Sequence, residues 1–177
     1  MSNFCNQLES ILKDCDNNVA GIDFVYLNNA DALENIVEDA DFVITGATIS
    51  SGHTGYVEYE VNPATASLEE NVEINLQNGT TVYQPMLTVQ LAKRSAVKRA
   101  RLKLIADGQP KLSIIFRDGN EKYWLMEGVY LVEASGVTEA ERTGVNGYTL
   151  MFSPGEGGGL NQAIKEITKD VVDTLIA

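Results

Sequence analysis

Histidine is almost missing from this chain, since His53 is the only one among 177 residues. Most catalytic constellations use an imidazole as base or proton shuttle and need a second reactive side chain beside it. His53 stands in the segment SSGHTG at 50–55, whose small and turn-forming residues are typical of an exposed turn between two strands. We therefore interpret it as a loop histidine. We expect that the chain is not an enzyme and has no catalytic residues.

Cysteine is nearly as scarce, and Cys5 and Cys15 both lie near the start of the chain. A bridge between them would close only a small loop, so two free thiols are expected. One histidine and two cysteines cannot supply a standard zinc site. The acidic run at 14–18 begins like a calcium loop, but Val19 stands where the turn glycine is needed and Val25 where the bidentate glutamate is needed. No metal site is predicted.

A complete phosphate-binding loop is lacking too. The segment SPGEGGG at 153–159 precedes a predicted helix, where backbone amides attract anions. The required Gly-Lys-Ser/Thr ending is missing, since Leu160 follows, and the Glu156 carboxylate would repel phosphate. We interpret this segment as a hinge and predict no cofactor.

Long apolar runs do not occur. No stretch approaches the ~20 apolar residues of a membrane-spanning helix, and the polar first fifteen residues do not make a secretory signal. We expect a soluble protein that is made in a cytoplasm and has no membrane partner.

What the chain has in excess is acid, with 25 acidic residues against 13 basic ones and a formal net charge of −12. Six basic residues and no acid lie within 87–106, and they are Lys93, Arg94, Lys98, Arg99, Arg101 and Lys103. The rest of the chain has seven basic and 25 acidic residues, so its net charge is −18. A basic element on an acidic body favours contact between copies. The first five of the six are candidate subunit-interface residues.

A second interpretation of the basic segment stays open. It would suit a monomeric module that binds a nucleic acid or an acidic protein. Within 87–106, however, no aromatic residue is present to stack on bases, and the acidic remainder repels phosphates. We therefore favour the structural interpretation over this binding module.

Alternation of apolar and polar residues predicts a β-rich body over 22–153, between an N-terminal arm at 1–21 and a C-terminal part at 154–177. The predicted strands are 22–27, 42–49, 56–61, 72–76, 81–83, 111–117, 122–132 and 147–152. Asn78-Gly79 and Asp118-Gly119 each predict a hairpin, because type I′ turns need positive φ at both central residues. Residues 29–41 are predicted to form a short helix or a loop, with the helix favoured.

One central helix is predicted at about 88–106, ending at Asp107-Gly108. Its inward-facing residues would be Leu91, Ser95, Ala96, Leu102 and Ile105. The predicted fold class is α+β: a mainly antiparallel β-sandwich or barrel with one flanking central helix and a helical or extended C-terminal arm.

Beyond the glycine hinge, apolar residues recur at helical spacing and predict an amphipathic helix or arm. They include Ile164, Ile167, Val171 and Leu175. Such a stripe needs an apolar partner surface, on its own body or on a neighbouring copy. These four residues are therefore further candidates for the subunit interface.

Four phrases stand at the two ends of the β-rich body: KDCDNNVAGI at 13–22, FVYL at 24–27, GVYL at 128–131 and GVNGYTLMF at 144–152. In these phrases, and in the order of its predicted elements, the chain resembles tail tube and related virion structural proteins of tailed phages, especially those that infect Bacteroidetes. The resemblance implies a β-sandwich with a flanking helix. It also implies rings whose sheets line a lumen, with loops or termini that reach the next ring.

On this resemblance we expect a structural subunit of a tail tube or tail-like conduit. It would be a homo-oligomer of the virion, assembled in the host cytoplasm together with other virion proteins. DNA would be cargo that does not adhere, and Glu58, Glu60 and Glu73 are candidate lumen-facing acids because like charge keeps phosphates away. The glycine hinge and apolar C-terminal segment depart from the pattern, which leaves a neck, connector or tail-terminator ring open.

Overall fold

A computed structural model describes residues 18–62, 64–155 and 158–177 of the chain. They form ten strands and two helices: β1 Ile22–Asn29, β2 Leu33–Glu38, β3 Ile44–Ile49, β4 Val57–Tyr59, β5 Ser67–Asn75, β6 Thr80–Ala92, α1 Ala96–Gly108, β7 Leu112–Asp118, β8 Tyr123–Thr138, β9 Asn146–Ser153, β10 Lys165–Ile167 and α2 Lys169–Leu175. Most of the predicted N-terminal arm, up to residue 17, lies outside the described residues. The same holds for Glu156 and Gly157 of the predicted hinge.

Strand β8 is 16 residues long and belongs to two sheets. Its first half lies in the first sheet, which has the strand order β2-β3-β10-β8-β7-β1-β4. Its second half, from Tyr130, pairs with β9 and so joins the second sheet, which has the order β8-β9-β6-β5. All strand pairings are antiparallel except the one between β10 and β3. The predicted α+β class with mainly antiparallel pairing is confirmed.

The main core lies between the facing sides of the two sheets. Strand β6 shows how the sequence produces it, because Leu87, Val89 and Leu91 are buried while the alternating Thr88 and Gln90 are not. The same core contains the buried residues Val25, Leu27, Ile114, Phe116, Met126, Val129, Leu150 and Phe152. Each large apolar side chain buried in this way contributes roughly 1.5–3 kcal/mol. Helix α1 adds Leu102 to the same core.

A second core lies on the other side of the first sheet, under helix α2. Tyr26, Ile115 and Leu125 point to this side and form one buried cluster with Val172 and Leu175 of the helix. Because both of its faces are covered, β7 is buried without alternation from Leu112 to Phe116. Neither described helix is long and apolar enough to cross a membrane.

Both predicted hairpins are present. Asn75 pairs with Thr80 across the first turn, where Gly79 has a φ of +63°. In the second turn, the Asp118 carboxylate accepts hydrogen bonds from the backbone N–H groups of Asn120 and Lys122, at 2.9 and 3.0 Å. Local turn chemistry therefore identified both hairpins correctly.

Three helix predictions need correction. Within 29–41, where a short helix or a loop was predicted, residues Leu33–Glu38 form strand β2, and residues 88–92 are the end of β6 instead of the start of the central helix. In that helix Ser95 is the N-cap, its hydroxyl accepting from the Lys98 N–H at 3.2 Å, and Ala96 is exposed instead of facing inward. The C-terminal helix spans only Lys169–Leu175, after the short strand β10.

Candidate assembly surfaces

The outer face of the second sheet is polar and carries little charge. Its charged residues are Glu69 and Glu73 on β5 and Glu133 on β8, assigned by their register against the buried side chains of β6 and β9. The four strand segments of this sheet, 67–75, 80–92, 130–138 and 146–153, contain no lysine or arginine. Neither described helix lies on this face, because α2 packs on the first sheet and α1 buries Leu102 between the sheets. The sheet therefore presents a broad surface whose net charge is negative.

Both edges of the second sheet are unpaired on their outer side within the described chain. Strand β5 pairs only with β6, and the second half of β8 pairs only with β9. An edge of this kind presents unpaired N–H and C=O groups, which are a template for pairing with another chain. Two such edges on one sheet allow each copy to have two neighbours.

The tip of the β5–β6 hairpin, residues 72–82, extends beyond the sandwich. Tyr83 still exchanges two backbone hydrogen bonds with Leu160, at 2.8 and 3.0 Å, but past that point β5 and β6 pair only with each other. On the tip, Val72, Ile74 and Leu76 are exposed, Ile74 at 63% and Leu76 at 90%. A two-stranded ribbon is marginal in water by itself, and a group of exposed apolar side chains is typical of a contact surface.

Some of the predicted interface cations, on helix α1 and just before it, make contacts within their own chain. The Lys98 ammonium contacts the carbonyl oxygens of Ala92 and Lys93. The Arg94 guanidinium carbon lies 5.7 Å from the ring centroid of Tyr148, a cation–π contact. Four of the five candidates, Lys93, Arg94, Arg99 and Arg101, are exposed, and Lys98 is half-buried. The five predicted residues therefore lie close together, and most of the set faces solvent.

The exposed side of α1 carries an apolar stripe that sequence reasoning missed. Val97, Ala100 and Leu104 lie three and four residues apart, so they share one face of the helix. Val97 is 60% exposed and Leu104 is 75% exposed, whereas Leu102 on the opposite face is buried. The spacing of these residues was the available signal, but the basic residues among them suggested a purely charged outer face.

A groove of about 300 Å³ runs between β4 and α1. Glu58 and Glu60 line one part of it, and Lys98 and Arg101 line another. Burial raises the pKa of Tyr59 in this groove, and Arg101 opposes that rise. Of the three candidate lumen-facing acids, Glu58 and Glu60 lie at the β4 edge of the first sheet, whereas Glu73 lies on β5 of the second sheet, so the three do not share one sheet.

The C-terminal candidates for the interface are also placed differently. Ile167, Val171 and Leu175 are buried in the second core, and Ile164 is half-buried against the main core. For Ile167, Val171 and Leu175 the prediction that they contact a neighbouring subunit is wrong, because their own chain buries them, whereas for Ile164 it stays a prediction. Ion pairs reinforce this placement: Lys165 contacts Glu38, and Lys122 lies 3.0 Å from Glu166.

Two small groups of titratable side chains lie elsewhere in the described chain, one at His53 and one at Glu127. His53 lies in the predicted turn, with its Nε2 atom 3.6 Å from the Asp31 carboxylate. The half-buried Glu127 lines a cavity of about 360 Å³ together with Lys111 and Lys165, and burial raises the pKa of its carboxyl while Lys165 opposes the rise. Among the described residues, no group of three or more His, Cys, Asp or Glu could hold a metal ion.

No family model, curated protein or solved structure matches the chain.

Proposed function

We propose that this chain is a structural subunit that associates side by side into a ring, with the outer face of the second sheet lining the lumen, as in the tail tube of a phage. The observation that carries the proposal is a four-stranded sheet with two unpaired edges and an outer face without a basic residue. In a virion, its partners are further copies of itself and other virion proteins.

The charges on the outer face suit a conduit for DNA. Each copy would contribute Glu69, Glu73 and Glu133, and a ring repeats these carboxylates around its lumen. A protein holds DNA mainly by placing lysine and arginine on phosphates. Because this face has neither, a duplex inside the ring would meet only repulsive charge and uncharged polar groups, and could slide without adhering.

The two unpaired edges suit ring closure. Pairing β5 of one copy with the second half of β8 of the next uses two different surfaces, so it is a heterologous contact. Such contacts form a closed ring when the rotation per copy divides a full turn, and an open fibre when it does not. Closure also removes every exposed edge of this sheet, which otherwise invites uncontrolled pairing.

The test is chemical cross-linking across the proposed seam. In a background in which Cys5 and Cys15 are replaced by serine, the double variant Asn71→Cys/Ser135→Cys is treated with a short bis-maleimide. We expect a ladder of covalent oligomers that ends at the ring number. Asn71→Cys alone should yield at most dimers, because each copy then offers one thiol.

Negative-stain microscopy of the unmodified protein completes the test. We expect rings of uniform diameter, and a monodisperse monomer at high concentration together with no ladder would contradict the proposal. Stacked tubes would favour a tail tube subunit, whereas rings that remain single would favour the neck, connector or terminator alternative.

A further inference from the structure

The sequence contains two Asn-Gly pairs, Asn78-Gly79 and Asn146-Gly147. Asparagine is a chemically labile residue, and a following glycine makes it more so, because no side chain hinders attack by the glycine nitrogen on the asparagine amide. The first pair lies in the turn of the β5–β6 hairpin, whereas the second begins strand β9. The fold therefore places the same reactive dipeptide in two different backbone settings.

The Asn78-Gly79 pair is open to water. Every residue from 71 to 80 is exposed, and a β-carbon added to Gly79 would meet nothing within 4 Å. The Asn75 side-chain oxygen closes the turn by accepting hydrogen bonds from the N–H groups of Gln77 and Asn78, at 3.0 and 3.1 Å. In the part of the chain that the structure describes, no hydrogen bond holds the Asn78 carboxamide or the Gly79 N–H. Both reacting groups are therefore free to move.

The Asn146-Gly147 pair is held by the sheet on both sides. Gly147 is buried and pairs with both β6 and β8, and a β-carbon added to it would collide with a backbone carbonyl oxygen of β6. The Asn146 carbonyl oxygen accepts from the Lys93 N–H at 2.7 Å, and its side-chain oxygen accepts from the Thr138 hydroxyl at 3.1 Å. The backbone and the side chain of Asn146 are therefore both fixed.

Ring closure between the glycine nitrogen and the asparagine side chain requires the asparagine backbone to rotate. The nitrogen must enter the plane of the side-chain carbons, whereas a strand residue with ψ near about +135° keeps it out of that plane. In β9 this rotation would break hydrogen bonds to two neighbouring strands, so the reaction must wait for a local opening of the sheet. In the hairpin turn the rotation breaks no strand pairing, because β5 and β6 pair only up to Asn75 and Thr80.

We propose that Asn78 is a self-modification site, at which the hairpin turn loses ammonia and gains a carboxylate, while the sheet protects Asn146. The Gly79 nitrogen gives its proton to water or hydroxide and attacks the Cγ atom of Asn78. The new Cγ–N bond forms, the Cγ–Nδ2 bond breaks, and ammonia leaves behind a five-membered succinimide. Water then opens the ring at either of its carbonyl carbons, which gives aspartate or isoaspartate.

The modification changes the charge and the backbone of the turn. Either product adds one negative charge, and isoaspartate also leads the main chain through the Cβ and Cγ atoms of residue 78. The strands on both sides keep their pairing, because the added backbone atom lies in the loop at 76–79. The inference rests on the turn alone and does not depend on the proposed assembly.

The test follows both Asn-Gly pairs in one sample. The purified full-length protein is kept in warm, mildly alkaline buffer, and peptide mapping by mass spectrometry records the change from amide to acid at each asparagine over time. We expect Asn78 to react at least tenfold faster than Asn146 and to give both aspartate and isoaspartate. In guanidinium chloride that unfolds the chain, the two rates should become similar, because the sheet no longer protects Asn146.

Isoelectric focusing of two variants provides the control. Asn78→Ser lacks the reactive amide and should form the more acidic species at least tenfold more slowly than the unmodified protein. The matched control Gln77→Ser changes the neighbouring exposed residue of the same turn and should form that species at the unmodified rate. Equal rates at Asn78 and Asn146 in the folded protein, a difference that persists after unfolding, aspartate without isoaspartate, or an unchanged rate in Asn78→Ser would each overturn the inference.

Discussion

At the scale of single residues, one buried hydroxyl pair joins the segment before β4 to strand β7, next to the backbone bonds that hold the C-terminal residues. The Tyr56 hydroxyl lies 2.6 Å from the Ser113 hydroxyl, and both side chains are fully buried. Burial raises the pKa of Tyr56 above its usual value, so the phenol stays protonated and can donate. Next to it, the Tyr56 N–H donates to the carbonyl oxygen of Leu175, and the Ala177 N–H donates to the carbonyl oxygen of Tyr56.

We predict that breaking this pair from one side costs more than removing both hydroxyls. Tyr56→Phe and Ser113→Ala should each lower the free energy of unfolding by about 1–3 kcal/mol, because each leaves one buried hydroxyl without a partner. The double variant should lose less than the sum of the two. Urea unfolding measures all three, with the exposed Tyr130→Phe as a control that should change little. Strict additivity would show that the two hydroxyls do not interact.

At the scale of elements, the two helices have opposite roles although both carry leucines. Leu175 of α2 is buried in the second core, whereas Leu104 of α1 is 75% exposed. We predict that Leu175→Ala lowers the free energy of unfolding by about 2–5 kcal/mol, while Leu104→Ala stays within about 0.5 kcal/mol. Thermal or urea unfolding of the monomer provides the measurement. A large loss in Leu104→Ala would place that side chain in a core.

Sequence patterns predicted the elements well wherever the signal was local. The hairpins at Asn78-Gly79 and Asp118-Gly119 follow from turn residues that need no distant partner. The strand β2 was misjudged because Leu33, Ile36 and Val37 imitate helical spacing. Asn35, with a φ of +53°, lies within the first of two shifts of register in this strand. Such irregularities remove the alternation by which a strand is recognised.

The short strand β10 could not be predicted by the same means. It has three residues, and its pairings join Ile167 to Ile44 and Tyr123, which are far away in sequence. Tertiary contacts of this kind override the helical spacing of the C-terminal apolar residues. The helix was therefore predicted too long, and its buried residues were assigned to a neighbouring copy.

At the scale of the whole molecule, the distribution of charge leads to a prediction about DNA. The triple variant Glu69→Lys/Glu73→Lys/Glu133→Lys should bind duplex DNA at low salt, because it converts an acidic face into a basic one. The control Glu34→Lys/Asp41→Lys/Glu141→Lys makes the same change in net charge at exposed sites elsewhere. Fluorescence anisotropy with a labelled duplex should show at least tenfold tighter binding by the first variant. Equal affinities would argue against this face as a lumen.

Only part of the candidate lumen surface could be predicted from the sequence. The excess of acid and the isolated basic segment were visible in the sequence, and Glu73 was placed on an acidic face. Glu58 and Glu60 were grouped with it, although they belong to the other sheet. Alternation reveals that a residue faces water, but it does not reveal which sheet carries it. Glu69 and Glu133 became recognisable only once the register was known.

Because β10 comes late in the chain, the first sheet can be completed only near the end of synthesis. The hairpin β2–β3 connects to the rest of the first sheet only through β10 in the described chain, and about 115 residues separate β3 from β10. At a synthesis rate of roughly 5–20 residues per second, the hairpin waits about 6–23 seconds for its partner strand. During that interval its apolar surface is unprotected, so a growing chain depends on its later residues, or on a chaperone, to avoid pairing with the wrong molecule.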